Sequence, residues 1–181
     1  LARGAFRYGG ERYGFDILAR YAALLDTAKA SYLWYYLSGD PGWSSADTLP
    51  TDGWGASAMF GALIEGAAGV EDQGARYQDV SLSPRWSYAG DVSTARVVAR
   101  YTASDGYAAY RWRRGARGLT LDFTGSGDHV LVRLLLPQEV KRVSKVALNG
   151  AKQAYAIEDV FGSRYVVVDV KAGSGALDVG W

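Results

Sequence analysis

The chain has 181 residues, 49% of them hydrophobic, enough for one large domain or two small ones around a real core and far from a disordered composition. Its 20 basic and 19 acidic side chains nearly cancel, so no global field draws it to nucleic acid or to an anionic membrane, and partners must be recognised by local shape. The absence of cysteine excludes a disulfide framework, a thiolate nucleophile and Cys-ligated zinc, and leaves the compartment open.

The opening LARGAFRYGGERYG shows neither a targeting pattern nor an element start, and Leu1 is no initiator, so a fragment is expected. From Tyr13 onward the apolar spacing is helical. Ile17, Leu18, Tyr21, Leu24 and Leu25 form one stripe, and Tyr32, Leu33, Tyr36 and Leu37 form a second. Asp26-Thr27 between them reads as an N-cap, and Gly39 followed by Pro41 reads as the stop of the second helix. A third helix is expected from Gly55 to Ala68. Its small and apolar residues, among them Ala56, Ala58, Phe60, Ala62, Leu63 and Ile64, cover almost its whole circumference, the pattern of a helix buried on all sides. The apolar run from Ala56 to Val70 is interrupted by Glu65 and by glycines, so it reads neither as a bilayer span nor as a signal peptide.

After Gly74 the period changes to two. Ala95, Val97, Ala99 and Tyr101 alternate with Arg96, Val98 and Arg100, and Leu119, Leu121 and Phe123 alternate with Thr120, Asp122 and Thr124. Further strands are expected at Val130 to Leu136, Val143 to Leu148, Tyr155 to Ile157, Tyr165 to Val170 and Leu177 to Val179. Asn149-Gly150 is the sharpest turn signal, because a two-residue type I′ loop needs positive φ at both central positions. The fold class is therefore α+β: about three helices, then an antiparallel β-sandwich of about eight strands, divided as 1–74 and 75–181.

The stretch GWGASAMFGALIEGAAGV, then VSLSPRW at Val80 to Trp86 and ASDGYAAYRW further on, resembles the C-terminal end of six-hairpin glycoside hydrolases. The resemblance is specific from Gly53 to Arg113. It implies the last helical hairpin of an (α/α)6 toroid leading into a β-sandwich. In such toroids the loops running from an outer to an inner helix line the sugar cleft, which would put residues 38 to 54, and also Phe6 to Phe15, at its rim.

Glycosidic cleavage uses one carboxylic acid to protonate the leaving oxygen and a second carboxylate as base or nucleophile, separated by about 5 Å for retention and about 6.5–9.5 Å for inversion. Glucoamylase-like relatives keep the base in the loop before the last inner helix, where LPTDGW stands here. The aligned position falls near Thr51, which makes Asp52, or else Asp47, the candidate base; Asp52 can equally be a helix-end charge favoured by the dipole. The resemblance places the general acid on hairpins outside this chain. Trp54 and Trp43 are candidates for stacking on a sugar face, with packing against the toroid wall as the alternative.

Three other signals have plainer readings. Glu65, within the apolar helix, is expected in a structural ion pair with Arg85. His129 is the only histidine; no GxSxG accompanies it, and it reads as a solvated turn residue beside Asp128. One histidine without cysteine excludes a His-based zinc site, leaves an oxygen-only calcium site of aspartates open, and no cofactor is expected. RWRRGAR, Arg111 to Arg117, places Arg111 and Arg113 on one strand face and Tyr110 and Trp112 on the other, a solvated face rather than a nucleic-acid stripe.

The expected function is that of a C-terminal piece of a glycoside hydrolase, with a carbohydrate substrate and the upstream part of the same chain as partners. The alternative is a self-standing carbohydrate- or protein-binding sandwich with helical cover. An open reading frame continuing far upstream in helical hairpins favours the first. In the intact enzyme, Asp52→Asn is expected to lower turnover by orders of magnitude if Asp52 is the base; unchanged kinetics would leave it a helix-end charge.

Overall fold

Period-two alternation decides the architecture. A computed structural model of the protein describes residues 1–32, 38 and 53–181. Among these, three α-helices, α1 (Ala2–Arg7), α2 (Glu11–Ala28) and α3 (Gly53–Gly61), precede eleven strands. One sheet runs β1 (Val70–Asp72), β2 (Asp79–Leu82), β6 (His129–Leu135), β10 (Ser163–Val170) and β9 (Ala156–Val160), in that spatial order. The other runs β3 (Thr94–Arg100), β4 (Tyr107–Gly115), β5 (Gly118–Gly125), β11 (Ser174–Gly180), β7 (Lys145–Leu148) and β8 (Ala151–Lys152). None of the described helices is long and apolar enough to cross a membrane.

The two inner faces meet in one core. Ala108, Tyr110 and Trp112 of β4 and Leu119, Leu121 and Phe123 of β5 are buried with Leu177 and Val179 from one sheet; Val80, Leu82, Val132, Leu134, Val166 and Val168 face them from the other. Arg111 and Arg113 turn outward, as the sequence predicts. The Asn149-Gly150 loop also forms as expected, joining Leu148 to its partner Ala151 with both central residues at positive φ.

Two expectations for the strands are corrected. Three additional strands are present, because β1, β2 and β8 are too short to show alternation. The sandwich is also not wholly antiparallel: β2 and β6 pair in parallel, Asp79 beside His129 and Leu82 beside Val132. A parallel pair needs a long crossover, and the β3–β4–β5 meander in the opposite sheet supplies it.

The helical part also departs from its sequence pattern. Asp26 and Thr27 are not an N-cap but lie in the last turn of α2, where the Thr27 hydroxyl donates to the Ala23 carbonyl and Lys29, in the left-handed region, closes the helix. Tyr32 forms an isolated bridge; Leu33, Tyr36 and Leu37, and the Gly39 and Pro41 stop, lie outside the described residues. The third helix forms over the expected span, but its last turns, Ala62–Ala67, are π-helical, with the Ala68 N–H reaching the Leu63 carbonyl at 2.8 Å. It is not buried on all sides. No residue of α3 is buried, and Phe60 is 67% exposed; the buried residues of this helical run are Ala62, Gly66, Ala67 and Ala68, beyond its first turns. Glu65 pairs with Arg3, not with Arg85. Arg85 is instead buried, donating to the carbonyls of Gly66 at 2.6 Å and Ser83 at 3.1 Å.

Helix α1, which the sequence reading misses, is the wedge between these parts. Phe6 is buried between α2 and the π-helical turn at two glycines, where a Cβ on Gly14 would come within 2.8 Å of its ring and one on Gly66 within 2.5 Å. Complete burial of such a ring is worth about 1.5–3 kcal/mol. Phe15 meets it edge-on at 5.0 Å and leans toward Trp86 at 6.0 Å. Trp86 then donates to the Tyr110 hydroxyl at 2.8 Å, and Tyr110 donates to the Ala68 carbonyl at 2.7 Å, tying the helices to the sheet.

A carboxylate completes the attachment. Glu11, in the first turn of α2, is 1% exposed and accepts hydrogen bonds of 2.6 Å from the hydroxyls of Ser163 and Tyr165 on β10. Burial raises the Tyr165 phenol well above its ordinary range, and the bond to Glu11 raises it further, so the hydroxyl stays a donor. Glu11→Ala would strand two buried donors, each costing about 1–3 kcal/mol. The variant is expected to lose about 2 kcal/mol or more in urea titrations, whereas Glu139→Ala, an exposed carboxylate, serves as the near-neutral comparison.

Candidate functional site

The helical surface carries a concavity with an almost wholly apolar lining. Phe15, Leu18, Ala22 and Leu25 of α2 recur at helical spacing and face Ala56, Met59 and Phe60 of α3, with Trp86 among the lining residues, around a groove of about 500 Å³. Among the described residues its lining has no carboxylate, amine or imidazole, and the Tyr21 hydroxyl, which bonds Ser31, is its one titratable group. The surface is suited to packing.

Of the four residues singled out from the sequence, Asp47, Asp52 and Trp43 lie outside the described residues. Trp54 lies in the first turn of α3 and is 82% exposed, so within this chain it is not core packing.

A second concavity, of about 410 Å³, is polar and crosses the outer face of the five-stranded sheet, lined by Arg7, Glu71, Asp79, Ser81, His129 and Arg133 among others. His129 is not a turn residue. It opens β6 and lies across from Asp79 in the parallel register, so its Nδ1 meets Asp79 Oδ1 at 3.0 Å while Nε2 meets Asp169 Oδ1 of β10 at 2.7 Å. Both ring nitrogens meet carboxylates, and the hydrogen bonds to Asp169 and then Asp79 stabilise the charged imidazole and raise its pKa. Neither ring nitrogen bonds a serine or threonine hydroxyl, so no Ser-His-Asp arrangement is built on it among the described residues.

The rest of this face is similarly paired. Arg133 grips Glu158 with two bonds, 2.9 Å and 2.7 Å, and stands 4.9 Å over the Tyr165 ring. Among the described residues, no three His, Asp or Glu side chains gather closely enough to hold a metal ion. The arrangement stabilises a sheet face and can offer hydrogen bonds to a hydroxyl-rich molecule.

Comparison with protein-family models finds no match, and none of the curated proteins matches. Among solved structures, the chain is similar to the α-L-rhamnosidase of Dictyoglumus thermophilum, with a TM-score of 0.54 and 17% identity, over 94% of this chain and 20% of that one. The fold is thus one that also occurs within a glycoside hydrolase, and this chain spans one-fifth of that protein's length. An uncharacterized protein from Listeria monocytogenes EGD-e aligns with 56% of this chain and 10% of its own, at 12% identity and a TM-score of 0.40.

Two structural residues escaped the sequence reading for different reasons. Glu11 follows Gly9-Gly10 at a helix start, which marks the element but not the burial, since Ser163 and Tyr165 are more than 150 positions away. His129 was visible as a singular residue, but its partners depend on the parallel β2–β6 register.

The sign of the His129 effect follows from its raised pKa. Its contribution to stability is complete below the unfolded value of about 6.5 and is lost as pH rises through the higher folded value. An NMR titration of this single histidine is expected to give a pKa above 6.5, with stability declining through that same interval; a value at or below the free imidazole's would contradict the bridge.

Proposed function

We propose that this chain contributes one wall of an (α/α)6-toroid glycoside hydrolase, with the sandwich buttressing it. The observation that carries the reading is the apolar groove between α2 and α3, which the sandwich leaves uncovered in a chain that shares its fold with one-fifth of an α-L-rhamnosidase. A carbon-lined surface of this kind is stable in water when another element covers it, and further helical hairpins of the same protein are the cover proposed here.

In this reading residues 1–74 belong to the toroid and 75–181 to the sandwich, with the first strand reaching back to Val70. The segment 38–54 faces the sugar. Asp52, with Asp47 as the second candidate, acts as the base, Trp54 and Trp43 stack on sugar rings, and the acid comes from another hairpin. Exposure of Trp54 at the beginning of α3 supports its part in this assignment. The substrate is a glycoside, and the likeness to the rhamnosidase makes α-L-rhamnosides the first class to test.

The test compares two proteins. The intact protein is expected to hydrolyse one member of a panel of aryl glycosides that begins with the α-L-rhamnoside, and residues 1–181 alone none of them. Turnover by the isolated chain would place the acid within it and contradict the proposal; an intact protein inactive on the whole panel would remove the enzymatic reading.

A further inference from the structure

The outer face of the six-stranded sheet carries charges in an arrangement that folding does not require. Arg96 on β3 stands directly opposite Arg111 on β4, and Arg100 lies further along β3 opposite Tyr107. All three arginines are exposed, and their side chains make no hydrogen bond or ion pair among the described residues. Asp122 lies across from Arg111 on β5, but it is paired with Arg113 at 2.8 Å. Like charges opposed across neighbouring strands weaken a sheet. Protection of an edge accounts for charges on β3, which ends the sheet, but not for Arg111 on the strand within it.

The surroundings suit a flat, extended ligand. Val98, Ala109 and Thr124 occupy the next cross-strand row, so the guanidinium groups border a shallow floor. Successive outward positions on a strand are about 6.8 Å apart, which spaces the charges along the face instead of gathering them at one point. Guanidinium forks match carboxylates in two-point hydrogen bonding.

We propose that this face binds an acidic polysaccharide through carboxylates that pair with Arg96, Arg100 and Arg111. A nucleic-acid duplex fits less well, since strong duplex binders make about six to ten phosphate contacts. Single strands need a series of exposed aromatic platforms, and beside these arginines the face offers Tyr107 alone among the described residues of β4, since Tyr110 and Trp112 are buried in the core. The choice of a saccharide over an acidic peptide rests on the carbohydrate-active reading above.

The intact protein is titrated by calorimetry with polygalacturonate, a neutral polysaccharide of similar length, polyglutamate and polyuridylate. Polygalacturonate is expected to bind, and to bind more weakly as salt shortens the screening length. Replacing Arg96, Arg100 and Arg111 by Gln is expected to lower affinity about tenfold per arginine, with near-UV circular dichroism reporting that the core around Trp112 is intact. The single variant R111Q, expected to weaken binding about tenfold, serves if the triple variant does not fold. Absence of polygalacturonate binding at low salt, unchanged affinity in R111Q, or equally tight binding of polyglutamate, polyuridylate or the neutral polymer would overturn the proposal. Binding is read without turnover, so a protein that binds polygalacturonate but hydrolyses no glycoside would remove only the enzymatic reading, and hydrolysis without this binding would remove only this one.

Discussion

Each strand of the sandwich has one apolar face, and the two sheets use those faces to cover each other. That constraint governs the rest of the molecule. Once Trp112, Leu121, Val132 and Leu177 are packed together, the sheets have no remaining apolar face to offer the helices. The helical layer therefore meets the sandwich along a narrow seam of small residues, Ala62, Gly66, Ala67 and Ala68, and its other apolar side stays open.

Three different kinds of contact hold that seam. Phe6 fills the gap left by the missing side chains of Gly14 and Gly66, and the Trp86–Tyr110–Ala68 hydrogen-bond chain fixes the direction of approach. Glu11 joins the start of α2 to β10 through two hydroxyls that water does not reach. The apolar wedge locks α1, α2 and the π-helical turn to one another, and the polar contacts select one docking geometry on the sandwich, because a shifted helix would leave buried donors and a carboxylate unpartnered. The groove on the far side is thus presented in a defined orientation.

How far the sequence discloses this depends on the range of the interaction. Strands with full alternation, such as β4 and β5, and the Asn149-Gly150 turn are local and legible. The turn at Phe161-Gly162 has the same positive-φ geometry but was missed, since a phenylalanine, here 83% exposed, is an unusual occupant of such a position. Asp26-Thr27 has cap chemistry, yet the Thr27 hydroxyl turns back to the Ala23 carbonyl and α2 runs on to Ala28. Glu65 was rightly expected in an ion pair, but its partner on α1 could not be seen because α1 itself carries no start signal beyond Leu1. The all-round apolar pattern of α3 was read as complete burial; it reports a surface made to be covered, which the sandwich does not do. For the candidate site, only the position of Trp54 lies within the described residues.

The parallel pairing of β2 with β6 also bears on how the protein assembles. Asp79 and His129 are fifty positions apart, so the β1–β2 ribbon has no neighbour until the intervening meander has been made. Loop-closure entropy delays such a docking step relative to the hairpins on either side. The ribbon also lies at the sheet's margin and leads directly out of the helices. Mechanical load on the helical layer would therefore divide between this marginal ribbon, reached along the chain, and the interior strand β10, reached through the Glu11 hydrogen bonds.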